Sequence, residues 1–184
     1  MKKIIALVLS LVMLLACAAA TAEAEKDSMG TLKVNKAFDI RYSALPNDYT
    51  LFFYQQNDMT IIANIKSTQK DLPQMGLVIA FNDEWAGTER LNDVSEEDLQ
   101  AIKDSFSDEY EEQLTFDMKE TAAGTKLLTV MTPGGQDAYV YTIYKDHEIE
   151  MHIVPGEEQT ALGEADLDRV VAFLSDVDFV PVEE

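Results

Sequence analysis

The chain has 184 residues, 34 acidic against 14 basic side chains, a net charge of −20 and a single cysteine, Cys17. That charge argues against nucleic acid, whose binding draws on Lys and Arg contacts to phosphate, and against docking on anionic membrane surfaces. It suits solubility and is compatible with positive partners or divalent cations. One cysteine excludes an internal disulfide, so a packed core must supply the stability.

Lys2 and Lys3 precede an uncharged run from Ile4 to Leu15, and small residues follow Cys17 as far as Ala24. This pattern over residues 1–24 reads as an export signal of bacterial type. The apolar run is shorter than the ~20 residues that a permanent span requires. Two processing routes stay open. Leu14-Leu15-Ala16-Cys17 resembles a lipobox, which would leave lipid on Cys17, although Leu15 stands where a smaller residue is usual. Alternatively, a signal peptidase cuts after Ala22 or Ala24, both of which satisfy the small-x-small rule. Either route places the protein outside the cytoplasm, secreted or held at the surface, with lipid on Cys17 as its only membrane attachment. Residues 25–35 lack periodicity and read as a flexible tether. Residues 36–184 are long enough for one domain with its own core.

Strands are predicted first, at Ala37 to Tyr42, Tyr49 to Gln55, Met59 to Ile65 and Gly76 to Phe81, with turn signals at Leu45-Pro46-Asn47-Asp48 and Gln56-Asn57-Asp58. Leu51 to Tyr54 and Leu77 to Phe81 are apolar on both alternations, which suits strands covered on both faces. A helix then opens at Ser95, with Asp98 at the third helical position and Val94 and Leu99 placed as a staple. Leu99, Ile102, Phe106 and Tyr110 mark its buried face. Four strands follow, at Leu114 to Lys119, Thr125 to Met131, Ala138 to Lys145 and Glu148 to Val154, with turns at Pro133-Gly134-Gly135 and Asp146-His147. A second helix is capped by Gly163, with Asp166 at its third position and Leu167, Val170, Val171 and Leu174 as its stripe. Phe179 to Val182 is a short edge piece limited by Pro181. The order strands, helix, strands, helix predicts an α+β fold: an antiparallel sheet of about six to eight strands with helices packed on it, α/β/α sandwich-like.

Several of these segments carry a family resemblance. Phe38-Asp39-Ile40-Arg41-Tyr42, the turn with Pro46, the Ser95-capped helix, the strand meander and the closing Phe173-Leu174-Ser175-Asp176 resemble the PsbP/Mog1-like superfamily over Ala37 to Val180. Where those families often place a Trp after the turn proline, Tyr49 stands nearby instead. The resemblance implies a fold and a binding or assembly role, and it transfers no site residues.

Few constellations could carry chemistry. His147-Glu148-Ile149-Glu150-Met151-His152 is not a zinc-protease motif, since its histidines are five residues apart and fall on opposite faces of a strand. The same alternation gathers Glu148, Glu150 and His152 on one face. That face is expected to be solvated, the alternative being a candidate binding face for a cation or a partner; adjacent same-face positions lie ~6.8 Å apart. Asp108, Glu109, Glu111 and Glu112 crowd the end of the first helix, where the dipole disfavours negative charge; either fraying or a cation would relieve them. Trp85, the only tryptophan, sits in a polar loop, either as a binding anchor or as a lid on the end of the core. Tyr139 and Tyr141 share a strand face, where packing is the expected role. No G-x-S-x-G, P-loop or G-x-G-x-x-G occurs, so neither a cofactor nor a resident metal is expected. The expected role is a non-catalytic exported binding or accessory domain for a protein or small molecule outside the cell. The alternatives are a small extracytoplasmic hydrolase using an acid pair or His152, and a cation-responsive module.

Overall fold

The computed structural model describes residues 29–34, 38–43, 49–56, 60–108, 110, 113–121, 123–175 and 177–181. The export signal, Cys17, the start of the tether, and Glu109, Glu111 and Glu112 lie outside the described residues. Among those described, no helix is long and apolar enough to cross a membrane.

The fold is α+β. Ten strands are described: β1 (Met29–Val34), β2 (Phe38–Ser43), β3 (Tyr49–Gln56), β4 (Thr60–Ser67), β5 (Gln74–Phe81), β6 (Thr115–Glu120), β7 (Lys126–Met131), β8 (Ala138–Tyr144), β9 (His147–Val154) and β10 (Val177–Pro181). The two helices are α1 (Glu96–Ser107) and α2 (Glu164–Ser175). Seven strands form one sheet in the order β3-β4-β5-β9-β8-β7-β6, and β1-β2-β10 form a second. Every pairing among them is antiparallel.

Residues 29–34, expected within a flexible tether, instead pair as β1 along β2, from Met29 opposite Ser43 to Val34 opposite Phe38. The first predicted strand and the last therefore belong to the small sheet rather than to the edge of the large one. Phe38 joins the two sheets. It is fully buried, its ring meeting Tyr144 edge-on at 4.8 Å and His147 at 5.2 Å.

The large sheet is two meanders joined where β5 meets β9, with Ile79 opposite Ile149 and Leu77 opposite Met151. After β5 the chain must reach the far edge to begin β6. The segment from residue 82 through α1 therefore crosses over β9, β8 and β7. Its N-cap is Ser95, whose hydroxyl accepts from the Asp98 amide at 3.1 Å, as the sequence predicts. Ile102 and Phe106 point inward and join Leu128, Val130, Tyr139, Tyr141 and Ile143 in one core cluster. The opposite face holds Ile61, Leu77, Ile79, Met151 and Ile153 with Leu167, Val170 and Leu174 of α2. At the start of α2 the Asp166 carboxylate accepts from the Gly163 amide at 2.9 Å, again as predicted. Each face of the large sheet thus carries one helix, which accounts for strands apolar on both alternations.

Two turns set the hairpins of the second meander. The β8–β9 turn is Lys145-Asp146, one residue earlier than the predicted Asp146-His147, and both residues have positive φ, 44° and 62°. A two-residue hairpin turn of matching twist needs that conformation at both positions. The β7–β8 turn runs through Pro133–Gly135. Gly135 has φ of +64°, and a Cβ there would lie 2.4 Å from the Leu162 carbonyl oxygen, whereas Gly134 (φ +74°) faces open space. The Leu162 amide donates to the Gly135 carbonyl at 2.8 Å, so this turn holds the approach to α2 against the sheet. Gly135→Ala is expected to cost about 3 kcal/mol and Gly134→Ala about 1 kcal/mol, a difference that chemical denaturation midpoints will resolve.

Candidate functional site

Alternation along β9 sends Ile149, Met151 and Ile153 into the α2-side core and Glu148, Glu150 and His152 to the face beneath the crossing segment. The structure overturns the expectation of a solvated strand face. Glu148, Glu150 and His152 are 6 %, 4 % and 9 % exposed. The reason is not local: the segment from Asn82 through α1 lies over this face.

Glu148 is the most heavily engaged of the three. Its Oε1 accepts from the Trp85 indole N–H at 2.9 Å, the Tyr141 hydroxyl at 3.0 Å and the Asn82 side-chain amide at 3.1 Å. Trp85 ends a short 3-10 turn, Asp83–Trp85, that Asn82 caps by accepting from the Glu84 amide at 3.0 Å. The Asn82 amide in turn donates to the Asp146 carbonyl at 2.9 Å. One carboxylate oxygen therefore fastens the start of the crossing to the middle of the sheet. Trp85 is half-buried against the α1-side cluster, with its polar edge turned inward to Glu148.

His152 occupies the other end of the row. Its Nε2 lies 2.7 Å from Asp137 Oδ1, and its ring stacks on Tyr139 at 4.6 Å with planes 9° apart. The Tyr139 hydroxyl shares a short hydrogen bond with that of Tyr110, beyond the end of α1. Asp137 closes the β7–β8 turn: its amide donates to the Thr132 hydroxyl at 2.9 Å. Glu150 lies between the two ends, paired across the ladder with Tyr141 on one side and Val78 on the other.

The phenols report the electrostatics. Tyr141 is held well above its usual pKa of 10.0, first by burial and then by the charge and hydrogen bond of Glu148. Tyr139 is raised too, first by burial, then by the Tyr110 hydroxyl and the charges of Asp137 and Glu150. Both are kept neutral as hydrogen-bonding partners.

The structure thus brings Trp85 to Glu148 and sets His152 apart at the other end of the same face. Sequence reasoning missed Asn82 and Asp137, and gave Tyr110, Tyr139 and Tyr141 only packing roles. Tyr141 was findable, since it sits diagonally across the ladder from Glu148, within reach of a long side chain. Asn82 and Asp137 gave no signal, because their partners lie 66 and 15 residues away. His147 faces the other way, as its odd spacing from His152 predicts. Its Nδ1 donates to the Lys145 carbonyl at 2.6 Å and its ring packs on Phe38 and Phe81. Among the described residues, no three His, Cys, Asp or Glu side chains converge as a metal site.

A second concave feature lies on the α2 side. A groove of about 430 Å³ runs between β6, β7 and the first turn of α2, lined by Thr115, Asp117, Lys119, Met131, Glu164 and Leu167 among others. Lys119 bridges it, reaching Asp168 at 2.6 Å and Glu164 at 3.1 Å. The Asp168 bond, foremost, raises the lysine pKa above 10.5. No family model matches this chain, and no curated protein matches it.

Replacing Glu148 by Leu strands three donors, and is expected to cost about 3 kcal/mol or more while shifting Trp85 emission to longer wavelength. Glu148→Gln keeps an acceptor oxygen and should lose about 1 kcal/mol with little spectral change; urea titration followed by fluorescence separates the two. A second expectation concerns alkaline pH. A raised folded-state pKa means stability is complete below about pH 10 and falls as pH rises, because the unfolded phenols ionise first. Tyr139 and Tyr141 should therefore give tyrosinate absorbance only together with loss of far-ultraviolet ellipticity, and Tyr141→Phe should flatten the fall.

Proposed function

We propose that this chain is an exported bacterial accessory domain, PsbP/Mog1-like in type, that acts by binding outside the cytoplasm rather than by catalysis. The observation that carries the reading is what the polar side chains of the covered face hold. Glu148 ties the loop 82–85 to the sheet, and His152 ties the β7–β8 turn to it through Asp137. Those bonds brace the fold beneath a helix, which leaves the surface grooves and strand edges as the places where a partner meets the protein. The 24-residue export pattern supports the compartment, with release or lipid on Cys17 as the two routes.

One observation favours the hydrolase alternative. The His152–Asp137 pair, at 2.7 Å, has the geometry of a base held by its orienting carboxylate. The two readings part in one assay. The protein and its His152→Ala variant are compared on panels of ester, peptide and glycoside substrates. On the accessory-domain reading neither turns over any substrate, and His152→Ala lowers only the melting temperature. A turnover of the parent protein that His152→Ala abolishes overturns that reading. Mass spectrometry of the mature N-terminus decides between lipid on Cys17 and cleavage after Ala22 or Ala24.

A further inference from the structure

β6 ends the large sheet, and among the described residues no strand pairs with its outer edge. The direction of its amides can be read from two hydrogen bonds. The Asp117 carbonyl faces β7, accepting from the Thr129 hydroxyl at 3.3 Å. The next amide, Met118 N–H, therefore points outward, and it donates to the Asp117 carboxylate at 2.8 Å. That outward N–H is bonded to an exposed side chain, which an incoming carbonyl can replace. Met118 itself is one of two large apolar side chains exposed among the described residues, at 36 %.

Alongside this edge runs the groove between β6 and α2, with Met131 and Leu167 supplying apolar surface. An edge strand beside a helix, with a side-chain groove between them, is the arrangement by which extended peptides add to a sheet. The charges select the occupant. Around the groove Asp117, Glu164 and Asp168 face one cation, Lys119, which is already held by two of them. The whole chain carries −20, which repels a second copy and draws basic segments in.

We propose that the outer edge of β6 and its groove with α2 dock an extended peptide bearing Lys or Arg, which adds to the large sheet as a further strand. A peptide carbonyl takes the Met118 amide, the freed Asp117 carboxylate takes a peptide cation, and an alternate apolar side chain enters the groove between Met131 and Leu167. This rests on the accessory-domain reading and names the class of partner.

The test uses the full chain and a fluorescein-labelled octapeptide Lys-Lys-Val-Val-Lys-Lys-Val-Val, whose period sets lysine and valine on the same strand face, with the octapeptide in which glutamate replaces lysine as control, read by fluorescence anisotropy. Met118→Pro removes the outward N–H but none of the bonds to β7, a position where edge strands tolerate proline. Met118→Ala keeps the amide. The proposal expects binding of the lysine peptide only, weakened on the order of tenfold by Met118→Pro and less than about threefold by Met118→Ala. Equal binding by the parent and Met118→Pro places the peptide elsewhere on the acidic surface and overturns the proposal, as does no binding. So does sedimentation as a dimer that Met118→Pro dissociates, which makes the occupant a second copy. Binding that appears only after charge reversal of Lys2, Lys3 and Lys26 makes the occupant the chain's own N-terminal segment, with the same consequence. Failure here leaves the accessory-domain reading standing, since the hydrolysis assay with His152→Ala decides that separately.

Discussion

The course of the chain from β5 to β6 is the constraint from which most of the structure follows. β5 lies inside the sheet and β6 at its edge, with β9, β8 and β7 between them. A connection of that reach must lie across a face, and a face so covered cannot be left polar and unpaired. The covered face nonetheless carries two glutamates and a histidine. The engagement of Glu148 resolves this in part, because its oxygen takes three donors, two of which belong to the crossing segment itself. The connection thus supplies both the burial and part of the hydrogen bonding that makes the burial tolerable. Elsewhere the crossing is tied at its flanks. The Lys145 amide donates to the Glu89 carbonyl at 3.0 Å, and Asn92 clamps the β6–β7 hairpin through Gly124 and Lys126.

Buried polar rows of this kind fix position more than they add stability. Each donor and acceptor gains little over water when paired and loses much when stranded. Sliding β9 by one residue would turn Glu148, Glu150 and His152 toward the α2-side core and Ile149 and Met151 toward Trp85. The row therefore rejects register errors in the central pairings of the sheet. Its aromatic members add shape. Tyr139 is stacked on His152 and tilted against Phe106, so the histidine and the helix are held by the same ring.

How much of this was legible in the sequence depends on how local each cause is. Strands β3 to β9, the Ser95 cap, the Asp166 capping contact and the division of β9 into two faces all follow from neighbours a few residues apart, and all were read. The solvated character assigned to the Glu148 face was wrong because its cover comes from far along the chain, Trp85 lying 63 residues from Glu148. The tether over 25–35 was wrong in part for a related reason. Met29–Val34 has little periodicity of its own and is a strand because β2 offers it an edge. The hairpin turn was displaced by one residue because Lys145 adopts positive φ, a conformation its residue type does not advertise. Of the candidate site, the residues were visible but not their partners, since Asn82 and Asp137 are recognisable only once the sheet has closed.

The two sides of the large sheet then divide the work. On the α1 side Glu148 and His152 are covered and bonded to their neighbours, so changing either disturbs the fold before it disturbs any surface. On the α2 side β6 ends the sheet beside an open groove, where exposed carboxylates of α2 hold Lys119. An uncovered edge is a hazard unless something blunts it. Here the blunting device is Asp117 folded onto the Met118 amide, together with Lys119 and Glu120 on the same strand. A carboxylate cap of this sort discriminates by charge. An acidic strand, including another copy of β6, meets repulsion as well as an occupied donor, while a basic strand can remove the cap and satisfy it in one step. On the proposed docking, protection against self-association and selectivity for a partner of opposite charge come from the same side chain, Asp117.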